Sequence, residues 1–218
     1  MSDPRAEPPI SQAAESGGTP AYPPAPWLMA GQLWMSLFKL GHDVDELRPA
    51  GVYGAAVVSY EAPSPLTYAE LLVARPLPKR GRPVSITDIW VDSPASVAGG
   101  RALWAIPKGL ATFARDNRRR GPLRTTSWSV ATPDRAPIAS ASFTDASHLA
   151  PRVPFRGATW QPPIDDHVTA VSAVMKGSAK ALPCRAEWTF DLHGPLGWLV
   201  GATQLASVRM SGFRMSFG

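Results

Sequence analysis

The chain has 218 residues, of which 44% are hydrophobic, with a single cysteine and a formal net charge of +5. This suits one large globular domain, with or without a tail, and excludes an internal disulfide or a cysteine-built metal site, because Cys184 is the only cysteine. No run approaches the roughly 18 apolar residues of a bilayer span, and residues 1–18 lack the apolar core of a signal peptide, so the cytoplasm is the expected compartment.

Residues 1–26 hold seven prolines among Ser, Gly, Glu and Ala. Such a segment buries too little apolar surface to offset its ordering entropy, so a flexible tail is expected there, with the folded domain spanning 27–218. Gln32–Lys39 reads as a first strand and Asp43–Leu47 as a short helical turn before Pro49 and Gly51. Strands follow at Val52–Tyr60, Thr67–Pro76 and Val84–Val91. Ser93 then offers a cap and Pro94 a first helical residue for a helix running through SVAGGRALW. Gly99-Gly100 weakens that helix by roughly 1 kcal/mol per glycine relative to alanine, which points to close approach of a neighbouring strand. Further strands are expected at Leu110–Arg115, Arg124–Ala131, Ile138–Thr144, Val168–Met175, Ala186–Leu192 and Val208–Phe217, with a turn or short helix over Trp198–Gln204. Many strands around one helix, without βαβα alternation, predict a β-rich α+β domain in which a curved sheet or barrel surrounds a cavity.

Arginines outnumber lysines 17 to 5, and the basic residues cluster only at Lys79-Arg80-Gly81-Arg82 and at Arg115 with Arg118-Arg119-Arg120. Both clusters read as solvated loops, and aromatic residues do not alternate with basic ones, so no nucleic-acid partner is expected. The four histidines are far apart, and Asp165-Asp166-His167 reads as a surface turn after Pro162-Pro163. Dinucleotide, P-loop, zinc-protease and serine-hydrolase signatures are all missing. Neither a metal nor a cofactor is expected.

Lys108 stands among Trp104, Ala105, Ile106, Leu110, Ala111 and Phe113, with Pro107 immediately before it. A lysine amine attacks carbonyls only when unprotonated, and apolar burial lowers its pKa from roughly 10.4 toward that state. An imine-forming nucleophile would result. The local sequence by itself favours the ordinary alternative, a lysine whose stem lies along apolar surface with its charge in water.

The stretch VDSPASVAGGRALWAIPKGLATF resembles the signature of the acetoacetate decarboxylase family. Gly100-Arg101 matches the family's Gly-Arg pair, and Pro107-Lys108 matches its Pro-Lys-Lys-type element. Trp90-Val91-Asp92 is similar to the strand end before the family's helix, and Asp45-Glu46-Leu47-Arg48-Pro49 to the short helix after its first strand. The similarity spans roughly residues 30–115. It implies a closed double β-barrel with Lys108 projecting into an apolar cavity, a homo-oligomer, and imine chemistry on a small carbonyl substrate with no membrane partner. Glu70 falls where the family has a functional glutamate, which would orient substrate or move protons. Trp90, Arg101, Trp104 and Ile106 flank the motif and are the candidate substrate contacts.

Two positions depart from the family pattern. Gly109 stands where the family has a second lysine, which removes a nearby charge that favours the free amine. The first strand, around Gln32-Leu33-Trp34, lacks the arginine that pairs with a substrate carboxylate. Arg75, Arg101 and Arg124 are the candidate replacements. Aldol or dehydration chemistry therefore stands beside decarboxylation, and a non-catalytic barrel holding an apolar small molecule is the alternative class.

Overall fold

The computed structural model describes residues 21–78 and 82–218, so residues 1–20 of the expected tail and the Lys79-Arg80-Gly81 part of the first basic cluster lie outside it. Besides two short 3-10 turns, at Ser147–Leu149 and Gly197–Leu199, the described residues form twelve strands and one α-helix. They are β1 (Trp27–Leu40), β2 (Gly51–Glu61), β3 (Tyr68–Pro76), β4 (Val84–Val91), α1 (Pro94–Trp104), β5 (Gly109–Leu110), β6 (Thr112–Arg120), β7 (Leu123–Ala131), β8 (Pro137–Asp145), β9 (Arg152–Gln161), β10 (Val171–Pro183), β11 (Arg185–Phe190) and β12 (Thr203–Phe217). The β-rich α+β expectation is met.

Eight strands form one sheet in the order β3-β2-β1-β12-β10-β9-β4-β5, and an added β3–β4 pairing returns the sheet on itself as a ring. The other four form an antiparallel sheet in the order β11-β8-β7-β6. Strand alternation gives β1, β2 and β3 two buried faces. On one face, Val58 and Tyr68 join Met29, Ile89, Val91 and Phe213 in a core gathered from the ring strands and α1. On the other, Trp34, Val57 and Leu71 pack with Trp128, Ile138 and Phe143 in a core between the sheets. Each large apolar side chain so buried stabilises the fold by roughly 1.5–3 kcal/mol, which is why these strands read as near-continuous apolar runs.

Helix α1 starts where the sequence indicates: Ser93 Oγ accepts a hydrogen bond from Ser96 N at 3.2 Å, and Pro94 opens the helix. It ends after Trp104, where Ala105 takes a left-handed conformation (φ 53°) and the Ile106 N–H reaches back to the Gly100 carbonyl. That bond and the left-handed Ala105 together reverse the chain and aim residues 106–110 back along β4.

Three local expectations need correction. Asp43–Leu47 is a bend rather than a helical turn, because Asp45 Oδ1 accepts from the Leu47 and Arg48 N–H groups and so competes with helical pairing. Arg115 and Arg118–Arg120 lie in β6, not in a loop; β6 pairs with β7 from Thr112↔Ala131 to Arg120↔Leu123, around a turn at Gly121 (φ 58°). Strand β9 was not anticipated, since Arg152, Pro154, Arg156 and Gly157 hide its pattern. Its ladder with β10 supplies the order instead. The tail's last residues also touch the domain: the Trp27 indole donates to the Pro23 carbonyl at 2.8 Å, and Tyr22 packs on the ring core.

Candidate active site

Three neighbouring elements converge on Lys108. Strand β3 pairs with β4 so that Glu70 lies opposite Val91, and β5 runs parallel to β4 with Gly109 beside Trp90. The chain entering β5 therefore delivers residue 108 next to residue 70. Helix α1 closes the third side, and Gly100 makes this possible: a Cβ there would stand 2.7 Å from Lys108 Cδ and 2.8 Å from Cε. Gly99 serves the same purpose toward the Trp27 ring. The paired glycines thus trade helix propensity for close packing.

The Lys108 side chain is 5% exposed and its ammonium has three partners. Nζ donates to Glu70 Oε2 at 2.9 Å, to Ser96 Oγ at 2.9 Å and to the Tyr68 hydroxyl at 3.3 Å. The Tyr60 hydroxyl donates to the other Glu70 oxygen at 3.1 Å. Tyr68 and Glu70 share a strand face through the two-residue period, and Tyr60 lies across the ladder from Tyr68, their rings 4.5 Å apart. The result is a buried carboxylate–ammonium pair enclosed by three hydroxyls.

Burial pulls the Lys108 pKa down by penalising the charged form, as the sequence led one to expect. Attraction to Glu70 and Tyr68, with their hydrogen bonds, pulls it up and prevails, so the amine is held above the ordinary lysine value. The expectation of a depressed pKa is thus overturned in the resting site by a counter-ion that Glu70 provides. Tyr60 and Tyr68 are themselves pushed up, first by desolvation and then by the Glu70 charge for Tyr60. Both phenols stay protonated at neutral pH, Tyr60 donating to Glu70 and Tyr68 accepting from Lys108 Nζ. The surroundings of Nζ are likewise polar rather than an apolar cavity wall. Two cavities, of about 490 and 360 Å³, lie elsewhere, against the second sheet.

The other anticipated residues have different positions. Trp90 packs with the core between the sheets, the face of the ladder opposite Glu70. Trp104 fills the ring core edge-on to Trp27 and Phe217, with centroids 4.8 and 4.7 Å away, and Ile106 is buried in the same core. Arg101 forms a two-pronged pair with Asp165 at 2.7 Å, and its NH1 donates to the Lys108 carbonyl at 3.1 Å. It therefore fixes the backbone that carries the lysine. His167 Nε2 stands 2.9 Å from the Arg101 carbonyl, so the 165–167 turn is a latch on α1, a role its sequence did not reveal.

None of the proposed replacement arginines offers a free guanidinium beside Nζ. Arg75 donates to the Leu47 carbonyl, Arg101 is engaged as above, and Arg124 lines the 360 Å³ cavity. An arginine does neighbour the first strand, but from β12: Arg209 lies opposite Trp34 and stacks on its indole 3.8 Å from the ring centroid, in the inter-sheet core. Tyr60, Tyr68 and Ser96 were missed. A period-two reading of PLTYAELL from Glu70 would have found Tyr68; Ser96 needed the helix placed against β3. Among the described residues no group of three or more His, Cys, Asp or Glu comes together to hold a metal, and no helix is long and apolar enough to cross a membrane.

No family model and no curated protein matches the chain in sequence. Solved structures do match in shape. An acetoacetate decarboxylase-like enzyme from Sphingomonas wittichii superposes with a TM-score of 0.61 at 14% identity, covering 89% of this chain and 91% of that one. Acetoacetate decarboxylase from Legionella pneumophila gives 0.61 at 16% identity over 99% and 95%. The enduracididine biosynthesis enzyme MppR, in complex with pyruvate, gives 0.59 at 15% identity over 97% and 96%. With near-complete coverage in both directions, the ring sheet, the second sheet and the single helix together have the acetoacetate-decarboxylase-like fold.

Proposed function

We propose that the chain is a Schiff-base-forming enzyme in which Lys108 attacks a small keto acid or related carbonyl compound. The observation that carries this reading is the Lys108–Glu70 pair, buried beneath α1 in an acetoacetate-decarboxylase-like fold. Glu70 Oε2, 2.9 Å from Nζ, is placed to take the ammonium proton as a carbonyl approaches. The free amine adds to the carbonyl carbon, and the resulting carbinolamine loses its hydroxyl as water, assisted by the proton now on Glu70. Tyr68 and Ser96 supply hydrogen bonds to the oxygen as it leaves. The protonated imine is the electron sink. From a β-keto acid it accepts the carbon–carbon bond pair as carbon dioxide departs; from an α-carbon it accepts the pair left by a proton, which opens aldol and dehydration chemistry.

The second route has specific support. A neighbour in fold, MppR, has been captured with the condensation product of pyruvate and imidazole 4-carboxaldehyde. An aldol or dehydration reaction on a keto acid therefore stands in this reading beside decarboxylation of a β-keto acid. The closed double barrel, a homo-oligomer and a cytoplasmic setting belong to the same reading. The alternative is a binding-only barrel, in which Lys108, held as an ammonium beside Glu70, would anchor a ligand carboxylate.

Borohydride trapping decides between them. Incubation with pyruvate or a diketone, reduction and peptide mass analysis should place the adduct on Lys108 alone. Adducts spread over all five lysines, or none with any carbonyl tried, would rule out the imine.

A further inference from the structure

A cluster of charged side chains lies on the opposite face of β1 and β2 from Lys108. Between the ring and the β6–β7 hairpin is a cavity of about 360 Å³ whose cationic lining comprises Arg115, Arg118, Arg119, Arg124 and Arg209. Only two carboxylates, Glu61 and Asp145, line it as well, and both are engaged. Glu61 accepts from Gln32 Nε2 at 3.1 Å and lies 3.9 Å from Arg115. Asp145 accepts from the Ser147 N–H at 2.9 Å and its hydroxyl at 2.6 Å. Asp116, off the lining, pairs with Arg118 at 2.9 Å. The lining itself carries five positive charges against two negative ones.

The floor of the cavity is more telling than its rim. Arg209 is 7% exposed, yet its Nε stands 3.6 Å from Asp145, beyond hydrogen-bond reach. NH1 and NH2 donate to the Leu33 and Met210 carbonyls and to Gln32 Oε1, all uncharged acceptors. Desolvation accordingly pulls the guanidinium down to about 10, with Asp145 only partly offsetting it. A buried cation so poorly neutralised is costly unless an anion completes its surroundings. Two further lining residues bear buried polar atoms with no hydrogen-bond partner among the described residues, Trp34 Nε1 and His148 Nδ1. The indole N–H can only donate, as guanidinium groups do. Guanidinium donors, excess positive charge and a half-open volume within the range of small-ligand sites coincide here.

We infer that this inter-sheet cavity is a binding site for a small, multiply charged oxyanion, a polycarboxylate or a phosphate ester. Guanidinium forks recognise both chemistries in paired hydrogen bonds. The ligand would bridge the ring, through Arg209, to the second sheet, through Arg119 and Arg124, and so tie the β6–β7 hairpin to the remainder of the fold. The inference is independent of the imine chemistry, since its residues lie on the other side of the strands.

The test uses the full chain, with citrate and pyrophosphate titrated calorimetrically against chloride at matched ionic strength. At least one of the two should bind at a single site at least tenfold more tightly than chloride. The preferred arm separates carboxylate from phosphate recognition. Arg119→Gln/Arg124→Gln, at exposed positions, should weaken that binding at least tenfold while borohydride trapping on Lys108 is unchanged; Arg118→Gln alone gives a second, milder step. Equal binding of all three anions, wild-type affinity in the double variant, or loss of binding in a Lys108→Met variant would each overturn the site. So would a single-stranded oligonucleotide that binds more tightly than either small anion, because the arginines would then be an open nucleic-acid face.

Discussion

Among the described residues two cations are buried, one in each core, and their surroundings are opposite. Lys108, in the ring core, meets Glu70 at 2.9 Å, and its pKa is driven above the ordinary value. Arg209, in the inter-sheet core, faces Asp145 at 3.6 Å and falls to about 10. Both are desolvated, so the difference is in the counter-ion: close and directly bonded in one case, distant and turned toward Ser147 in the other. A buried charge is tolerated where its partner is well placed and becomes a demand for a ligand where it is not. The ring site holds a directly bonded counter-ion of its own; the inter-sheet site is the one we assign to an added anion.

The largest effect is expected from Lys108→Met, which should abolish borohydride trapping altogether. It also strands Glu70 in the core, with an expected loss of about 3–5 kcal/mol in urea unfolding. Retained trapping at another lysine would dissolve the contrast between the two cores.

Glu70→Gln probes the same pair from the other side. It removes the charge that raises the Lys108 pKa and leaves desolvation in command, so the onset of trapping should move to lower pH. The wild type should instead gain trapping rate as pH rises. Its pair also supplies stability that is present below the unfolded lysine pKa of roughly 10.4 and lost as pH climbs through the higher folded value. An unshifted profile in Glu70→Gln would mean that Glu70 does not control the amine.

For Arg209→Met the expected loss of stability is smaller than for Lys108→Met, near 1–3 kcal/mol, because Asp145 keeps both Ser147 bonds while two carbonyls and Gln32 lose a donor. The pH slope carries the opposite sign. A base with a lowered folded pKa costs most below about 10, and the cost fades as pH rises toward the unfolded value. Equal losses for the two truncations would show that counter-ion distance is not what separates the sites.

Gly100→Ala places a methyl group against a lysine stem anchored at three points. Overpacking of roughly 1–3 kcal/mol is partly offset by roughly 1 kcal/mol of helix propensity, so melting should change little. Trapping should slow about tenfold, since the ammonium must leave its partners. Arg101→Gln should have the smallest effect on stability, at most about 1 kcal/mol, because its pair with Asp165 is half exposed. A modest rise in the carbonyl concentration needed for half-maximal trapping would register the loosened Lys108 backbone.

The sequence alone determined the helix and its neighbours. Ser93, Pro94 and the paired glycines are local signals, read by backbone geometry within a few residues, and the structure places the helix where they indicate. The single lysine in an apolar stretch was likewise legible, as was Glu70 once the family pattern was laid over the chain. Tertiary structure decided what those residues meet. Tyr60, Tyr68 and Ser96 come from a strand pair and a helix turn whose convergence depends on the β3–β4 pairing that returns the sheet on itself. Arg209 joins Trp34 across 175 positions of chain, a pairing fixed by β1–β12 register and by no local signal. The charge state of Lys108 followed the same rule. Burial was foreseeable from its neighbours in sequence, but whether burial or a counter-ion prevails depends on a distance of 2.9 Å that only the folded chain sets.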